Sequence, residues 1–112
     1  MRRLILRTVL DSRYEKRITL LEGERLKGRV ELIVWDKDSG RVYVTLRRIE
    51  GRGLIRERTV KVYAMELSDE LPEGEVDFTC TEGGRYLLRI DAKDATYRAE
   101  IWVEEEDETR PI

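Results

Sequence analysis

Histidine is absent from this sequence and cysteine occurs once, as Cys80. Those two counts exclude Ser-His-Asp and Cys-His catalysis, histidine metal sites, multi-cysteine zinc sites and an intrachain disulfide. Long apolar runs are missing too. Nothing approaches the roughly 18 residues needed to cross a bilayer, and Arg7 interrupts Leu4-Ile5-Leu6 before a signal-peptide core can form. No lipidation motif stands at either end, so the expectation is a soluble, cytoplasmic protein without membrane insertion. A strong excess of one charge is also lacking: 22 basic and 24 acidic residues leave a formal charge of −2. That is too close to balance to flood a nucleic acid or a membrane with positive field. No cofactor and no catalytic residue is expected, and what survives is a binding or structural module.

What the sequence has in abundance is charge of both signs. Charged residues make up 41% of the 112 positions, against roughly 25% in an ordinary globular domain. Arginine outnumbers lysine 17 to 5, and its planar fork suits ionic networks because it holds a carboxylate through two hydrogen bonds. Such a composition is thermophile-like. The length fits one domain with a real core, formed without metal or cross-link.

The dominant period is two, which predicts strands with one buried face. Val30, Leu32 and Val34 form one inward row; others are Val42, Val44 and Leu46, Val60 and Val62, Val76, Phe78 and Cys80, Tyr86, Leu88 and Ile90, and Tyr97, Ala99, Ile101 and Val103. Turn chemistry separates the rows at Glu22-Gly23-Glu24, Asp36 to Gly40, Gly51-Arg52-Gly53, Leu71 to Gly74, Gly83-Gly84 and Lys93-Asp94-Ala95. Eight strands are expected, over 2–10, 14–21, 26–35, 41–49, 54–64, 75–80, 84–91 and 96–104. The fold class is all-β, an antiparallel β-sandwich, with a small closed barrel as the other solution. Tyr63 to Leu71 has apolar spacing that allows a helical turn, but Pro72 and the preceding β-branched run favour a crossover loop. A single domain over 1–104 is expected, with an acidic, frayed tail over 105–112.

Three stretches carry a family resemblance: Ile18-Thr19-Leu20-Leu21-Glu22-Gly23-Glu24 leading to Leu26-Lys27-Gly28-Arg29-Val30-Glu31-Leu32, then Glu73-Gly74-Glu75-Val76-Asp77-Phe78-Thr79, then Gly83-Gly84-Arg85-Tyr86-Leu87-Leu88. Together, across about residues 16–103, the sequence resembles the GOLD domain. An arrestin-like sandwich is similar as well, through Gly23-Glu24 to Val30 and Leu71-Pro72 to Phe78. Either resemblance implies a noncatalytic sandwich used for protein recognition. The membrane-traffic members of the GOLD family join this domain to a signal peptide, a coiled coil, a membrane span and a cysteine pair, whereas Cys80 has no second cysteine here.

Several residues are candidates for function. Trp35, Tyr43 and Trp102 read as outward-facing, and together they would make an aromatic patch rimmed by arginine, the composition of protein contact hot spots. A loop or a bulge that turned the rings inward would remove it. Self-association into a homo-oligomer through such a face, or through an exposed edge strand, is the leading expectation. The alternative is nucleic-acid binding by Arg41, Arg47, Arg48, Arg56 and Arg58. Residues 41–61 hold seven basic against two acidic side chains, and Tyr43 offers a ring for stacking. Acidic neighbours on adjacent strands would neutralise these arginines. Asp36, Asp38 and Gly40 could present oxygens to calcium, yet an EF-hand needs an acid where Arg47 stands, so the loop reads as a hairpin turn. Asp91 and Asp94 receive the same reading. No carboxylate pair for glycoside chemistry can be singled out from 24 acids. Cys80 reads as a small core hydrophobe, and Tyr86 and Tyr97 as core-edge rings with partnered hydroxyls.

Overall fold

The computed structural model describes residues 2–51 and 56–105. It contains eight strands: β1 (Arg2–Leu10), β2 (Tyr14–Leu20), β3 (Arg25–Trp35), β4 (Arg41–Glu50), β5 (Arg58–Leu67), β6 (Glu73–Thr79), β7 (Gly84–Lys93) and β8 (Ala95–Glu104). They form two four-stranded sheets with orders β1-β8-β3-β6 and β2-β7-β4-β5, antiparallel throughout. Pairs β4·β5, β3·β6, β2·β7 and β1·β8 nest inside one another and alternate between the sheets. That is the jelly-roll arrangement, one long hairpin folded over itself. The protein is an all-β antiparallel sandwich. Among the described residues no helix is long and apolar enough to cross a membrane.

The core is built from the rows that the two-residue period selects. Val30, Leu32, Val42, Val44, Leu46, Val76, Tyr86, Leu88, Ile90, Tyr97, Ala99, Ile101 and Val103 are all buried between the sheets, with Leu20 and Leu26 beside them. Each such aliphatic side chain contributes about 1.5–3 kcal/mol by leaving water. An exposed ion pair contributes about 0.2–1 kcal/mol, so the core decides the fold and the ionic surface only trims it.

Period two breaks at three bulges, which leave Ile5 of β1, Ile33 of β3 and Val62 of β5 without a register partner. A bulge inserts one residue and reverses which face every later side chain takes. Beyond Ile33, Val34 pairs with Thr96 and turns outward at 67% exposure, and Trp35 pairs with Ala95 and packs against the core. The expected inward place of Val34 is thereby corrected. At the β5 bulge Val62 is half-buried, and Val60 before it is exposed, so the expected inward row of Val60 and Val62 does not form either.

Three further differences concern connections. Residues 63–67, read as the start of a crossover loop, continue β5, because Tyr63, Met65 and Leu67 keep period two opposite Leu46, Val44 and Val42. Asp36 to Gly40 and Asp94 are sheet-to-sheet corners and not hairpins, since β3 and β8 lie in one sheet and β4 and β7 in the other. Turn chemistry shows that the chain reverses; it does not show which sheet the next strand joins. The expected 106–112 portion of the acidic tail, the turn at 52–53 and the first two positions of the 54–64 strand lie outside the described residues.

Candidate functional site

A two-sheet sandwich has two open sides, and here they differ. On the β5/β6 side the gap is closed by side chains. Tyr63 meets Phe78 edge-on at 6.3 Å between ring centres, and its hydroxyl donates to the Glu75 carbonyl at 3.2 Å. Gly74 leaves room for Met65 and Leu67: a Cβ there would lie 2.7 Å from the Met65 sulfur.

On the β1/β2 side the two edge strands flank a groove of about 400 Å³. Leu4, Ile5, Ile18 and Leu21 supply its apolar surface, with Arg3 and Lys16 among its cations. Leu4 is 52% and Leu21 62% exposed, unusual for two leucines beside one cleft. The polar link recorded across the groove is a hydrogen bond from Arg3 Nη2 of β1 to the Thr19 carbonyl of β2, at 3.3 Å. Among the described residues each of these strands has one neighbour, β8 or β7, and so keeps an edge able to accept an added strand.

The groove's upper end is fixed by the Gly23-Glu24 turn. Gly23 has a φ of 91°, a left-handed conformation that a side chain would strain. Its N–H donates to the Cys80 carbonyl at 2.8 Å, and the Cys80 N–H returns to the Glu24 carbonyl at 2.8 Å. Glu24 is only 5% exposed, and its Oε1 accepts the Leu21 N–H at 2.6 Å. The turn therefore leaves Leu21 projecting beside the groove. Ile18, which carries part of the GOLD resemblance, lines the groove, and Gly23-Glu24 holds the turn next to it.

The three aromatic candidates do not come together. Trp102 points outward from β8, with the Arg2 guanidinium 4.4 Å from its ring centre and its indole N–H donating to Glu104 Oε1 at 3.2 Å. Trp35 lies in the same sheet but near the opposite end of β3 from Lys27, the register partner of Trp102. Eight residues of strand separate those positions, roughly 26 Å. The bulge turns its ring inward, and its N–H donates to Asp69 Oδ1 at 2.9 Å. Tyr43 is exposed on β4, in the other sheet. The expectation of one joint patch is corrected by that bulge and by the sheet assignment.

The five candidate arginines are likewise divided. Arg47 and Arg48 are consecutive in β4 and take opposite faces. Arg48 and Arg58 converge on Glu50, at 2.7 Å and 3.0 Å. Arg41 stands at the far end of β4 and donates to the Gly40 carbonyl at 2.7 Å, and Arg56 lies outside the strands. They form no single phosphate-binding face. Elsewhere the outer surfaces are covered by cross-strand pairs such as Arg7–Glu100 at 2.6 Å, Arg98–Glu31 at 2.9 Å and Arg89–Glu15 at 2.7 Å.

The remaining candidates have structural surroundings. Asp36 Oδ1 accepts the N–H groups of Asp38 and Ser39, at 2.9 Å and 3.1 Å. Those two bonds hold its carboxyl below the usual value. Ser39 Oγ donates to Asp94 Oδ2 at 2.7 Å, which fastens the two corners together. Asp91 accepts from Arg13 at 2.5 Å. Cys80 is buried, with its sulfur 3.3 Å from the Glu82 carbonyl and 3.6 Å from the Tyr86 hydroxyl. Burial, followed by that sulfur contact, pushes the Tyr86 phenol up to about 12.

Sequence reasoning missed the groove. Its signals were present as Leu20-Leu21, two adjacent leucines of which a strand buries only one, and as Leu4, Leu6 and Val9, which fit no single two-residue row.

No family model matches the chain, and no curated protein matches it. Among solved structures it is similar to the CBM22-1 xylan-binding domain from Paenibacillus barcinonensis Xyn10C, at 19% identity and a TM-score of 0.44. The match covers 79% of this chain and 62% of that one, so this chain aligns with less than two thirds of it.

Proposed function

We propose that this chain is a noncatalytic β-sandwich module, a single unit over 1–104, that binds a protein partner along the groove between β1 and β2. The observation that carries the reading is the contrast between the two sides of the sandwich. One is sealed by Tyr63, Met65 and Phe78; the other leaves Leu4 and Leu21 exposed beside a groove whose flanking strands, β1 and β2, each have a single neighbour among the described residues. Apolar side chains beside unpaired backbone are what an added strand needs: hydrogen bonds for affinity and side-chain contacts for selectivity. The resemblance to GOLD and arrestin-like sandwiches supports a recognition role in the same sense. Nucleic-acid binding is not favoured, because the arginines it would use are dispersed and partly neutralised.

Selection of a displayed random-peptide library against the folded protein tests this reading. Selected peptides are expected to bind Leu4→Glu and Leu21→Glu variants at least about tenfold more weakly, and to bind Val34→Glu, on the outer face of the other end, unchanged. Equal binding to all three variants, with their folds intact by circular dichroism, overturns it.

A further inference from the structure

We infer that the segment received by the β1/β2 groove is extended and acidic, with carboxylates and aliphatic side chains sharing the face it turns to the groove; the inference rests on the groove being the binding surface. The argument is charge complementarity. Arg3 and Lys16 both line the groove, and among the described residues neither forms an ion pair. That is uncommon on this surface, where most arginines of the strands are matched to a carboxylate. Glu24, an acid at the same groove, is buried and committed to the Leu21 N–H, so it leaves the local positive charge exposed to a ligand.

Lys16 strengthens the case. It pairs with Leu88 in register and so takes the inward phase of β2, yet it remains exposed because the sandwich is open there. An inward-phase lysine on an edge strand discourages nonspecific pairing with apolar strands, and it admits a strand that brings a carboxylate to the same place. Arg3 is placed to respond. Its guanidinium occupies the Thr19 carbonyl at 3.3 Å, an edge acceptor of β2. The N–H of an incoming strand would take that acceptor, and the released guanidinium would turn to a carboxylate, a stronger partner than a neutral carbonyl. Lys16 and Ile18 share the inward phase of β2, so on the added strand the acid that meets Lys16 and the aliphatic side chain that meets Ile18 stand two residues apart on one face.

Fluorescence polarisation with three labelled decapeptides, which have Thr at every second position and Glu with Val, Ser with Val or Lys with Val in turn at the positions between (Glu-Val, Ser-Val and Lys-Val), tests the inference. At about 50 mM salt the Glu-Val peptide is expected to bind at least about tenfold more tightly than Lys-Val, with weakening as salt rises. Arg3→Glu and Lys16→Glu are expected to reverse that order, and Arg98→Glu, on the outer face of the β1 sheet, to leave it unchanged. If Ser-Val binds as well as Glu-Val and both are lost in Leu21→Glu, the groove binds peptide without selecting acids: the inference fails and the binding surface stands. If none of the peptides binds, or if unlabelled protein itself displaces Glu-Val as a second copy seated in the groove, the inference is overturned as well. The library selection with Leu4→Glu and Leu21→Glu then judges the surface separately.

Discussion

The Trp35 indole N–H donates to Asp69 Oδ1 at 2.9 Å, joining the end of β3 to the loop between β5 and β6. The bond exists because the Ile33 bulge turns the ring off the outer face. The same loop is fixed to β3 by the Leu32 N–H, which donates to the Pro72 carbonyl at 2.7 Å.

Trp35→Ala is therefore expected to destabilise the fold by about 2–3 kcal/mol, below the range for a fully buried tryptophan because Trp35 is only half-buried. Trp35→Phe, which keeps most of the packing and loses the hydrogen bond, is expected to cost about 1 kcal/mol. Trp102→Ala removes an outward ring under Arg2, and a loss of about 1 kcal/mol is expected there. Urea denaturation of the three variants checks the order. Equal losses at Trp35 and Trp102 would contradict the inward placement produced by the bulge.

Gly28 faces inward between Leu26 and Val30, where β3 and β8 approach closely. A Cβ there would overlap the Glu100 carbonyl oxygen and sit 2.9 Å from the Ile101 Cα, both rigid backbone. Alanine in a strand normally gains about 0.5–1 kcal/mol over glycine. Overpacking against fixed atoms costs about 1–3 kcal/mol and outweighs that gain. Gly28→Ala is expected to lower the thermal midpoint, and a rise would contradict the packing.

Stability should fall at both ends of the pH range, for opposite reasons. Hydrogen bonds from Arg48 and Arg58 hold the Glu50 carboxyl below its ordinary 4.5, and those from Arg17 and Arg85 do the same for Glu57. A depressed carboxyl stabilises the fold above its ordinary value, and that contribution is lost as pH falls through the folded value. The urea midpoint should drop below about pH 4.5, with a shallower drop in the Glu50→Gln, Glu57→Gln double variant. Burial raises the Tyr97 phenol to about 12, as it does Tyr86. A raised phenol stabilises below its ordinary 10, and the contribution disappears as pH climbs to about 12. Tyr97→Phe should flatten the alkaline decline. An unchanged slope in either variant would contradict the assignment.

Most of the fold is legible in the sequence because the core is simple: Val42, Val44 and Leu46, or Tyr97, Ala99, Ile101 and Val103, keep an unbroken alternation that only a half-buried strand satisfies. The three bulges are not legible, since Ile5, Ile33 and Val62 are good strand residues with nothing in their side chains to mark an extra position. That is why Trp35 and Val34 exchange faces. The functional surface is hidden for a different reason. A groove between β1 and β2 depends on which strands are left at the edges, and local patterns specify strands before they specify neighbours. Tyr43 looks like a partner for Trp102 in the sequence, and only the sheet order separates them.

Amide hydrogen exchange of the protein with and without a library-selected peptide tests the central claim most directly. The account predicts new protection along the free edges of β1 and β2, at residues 3–10 and 15–20, with little change in β4 and β5. Protection confined to the β4–β5 edge, or to the outer face around Trp102, would contradict it.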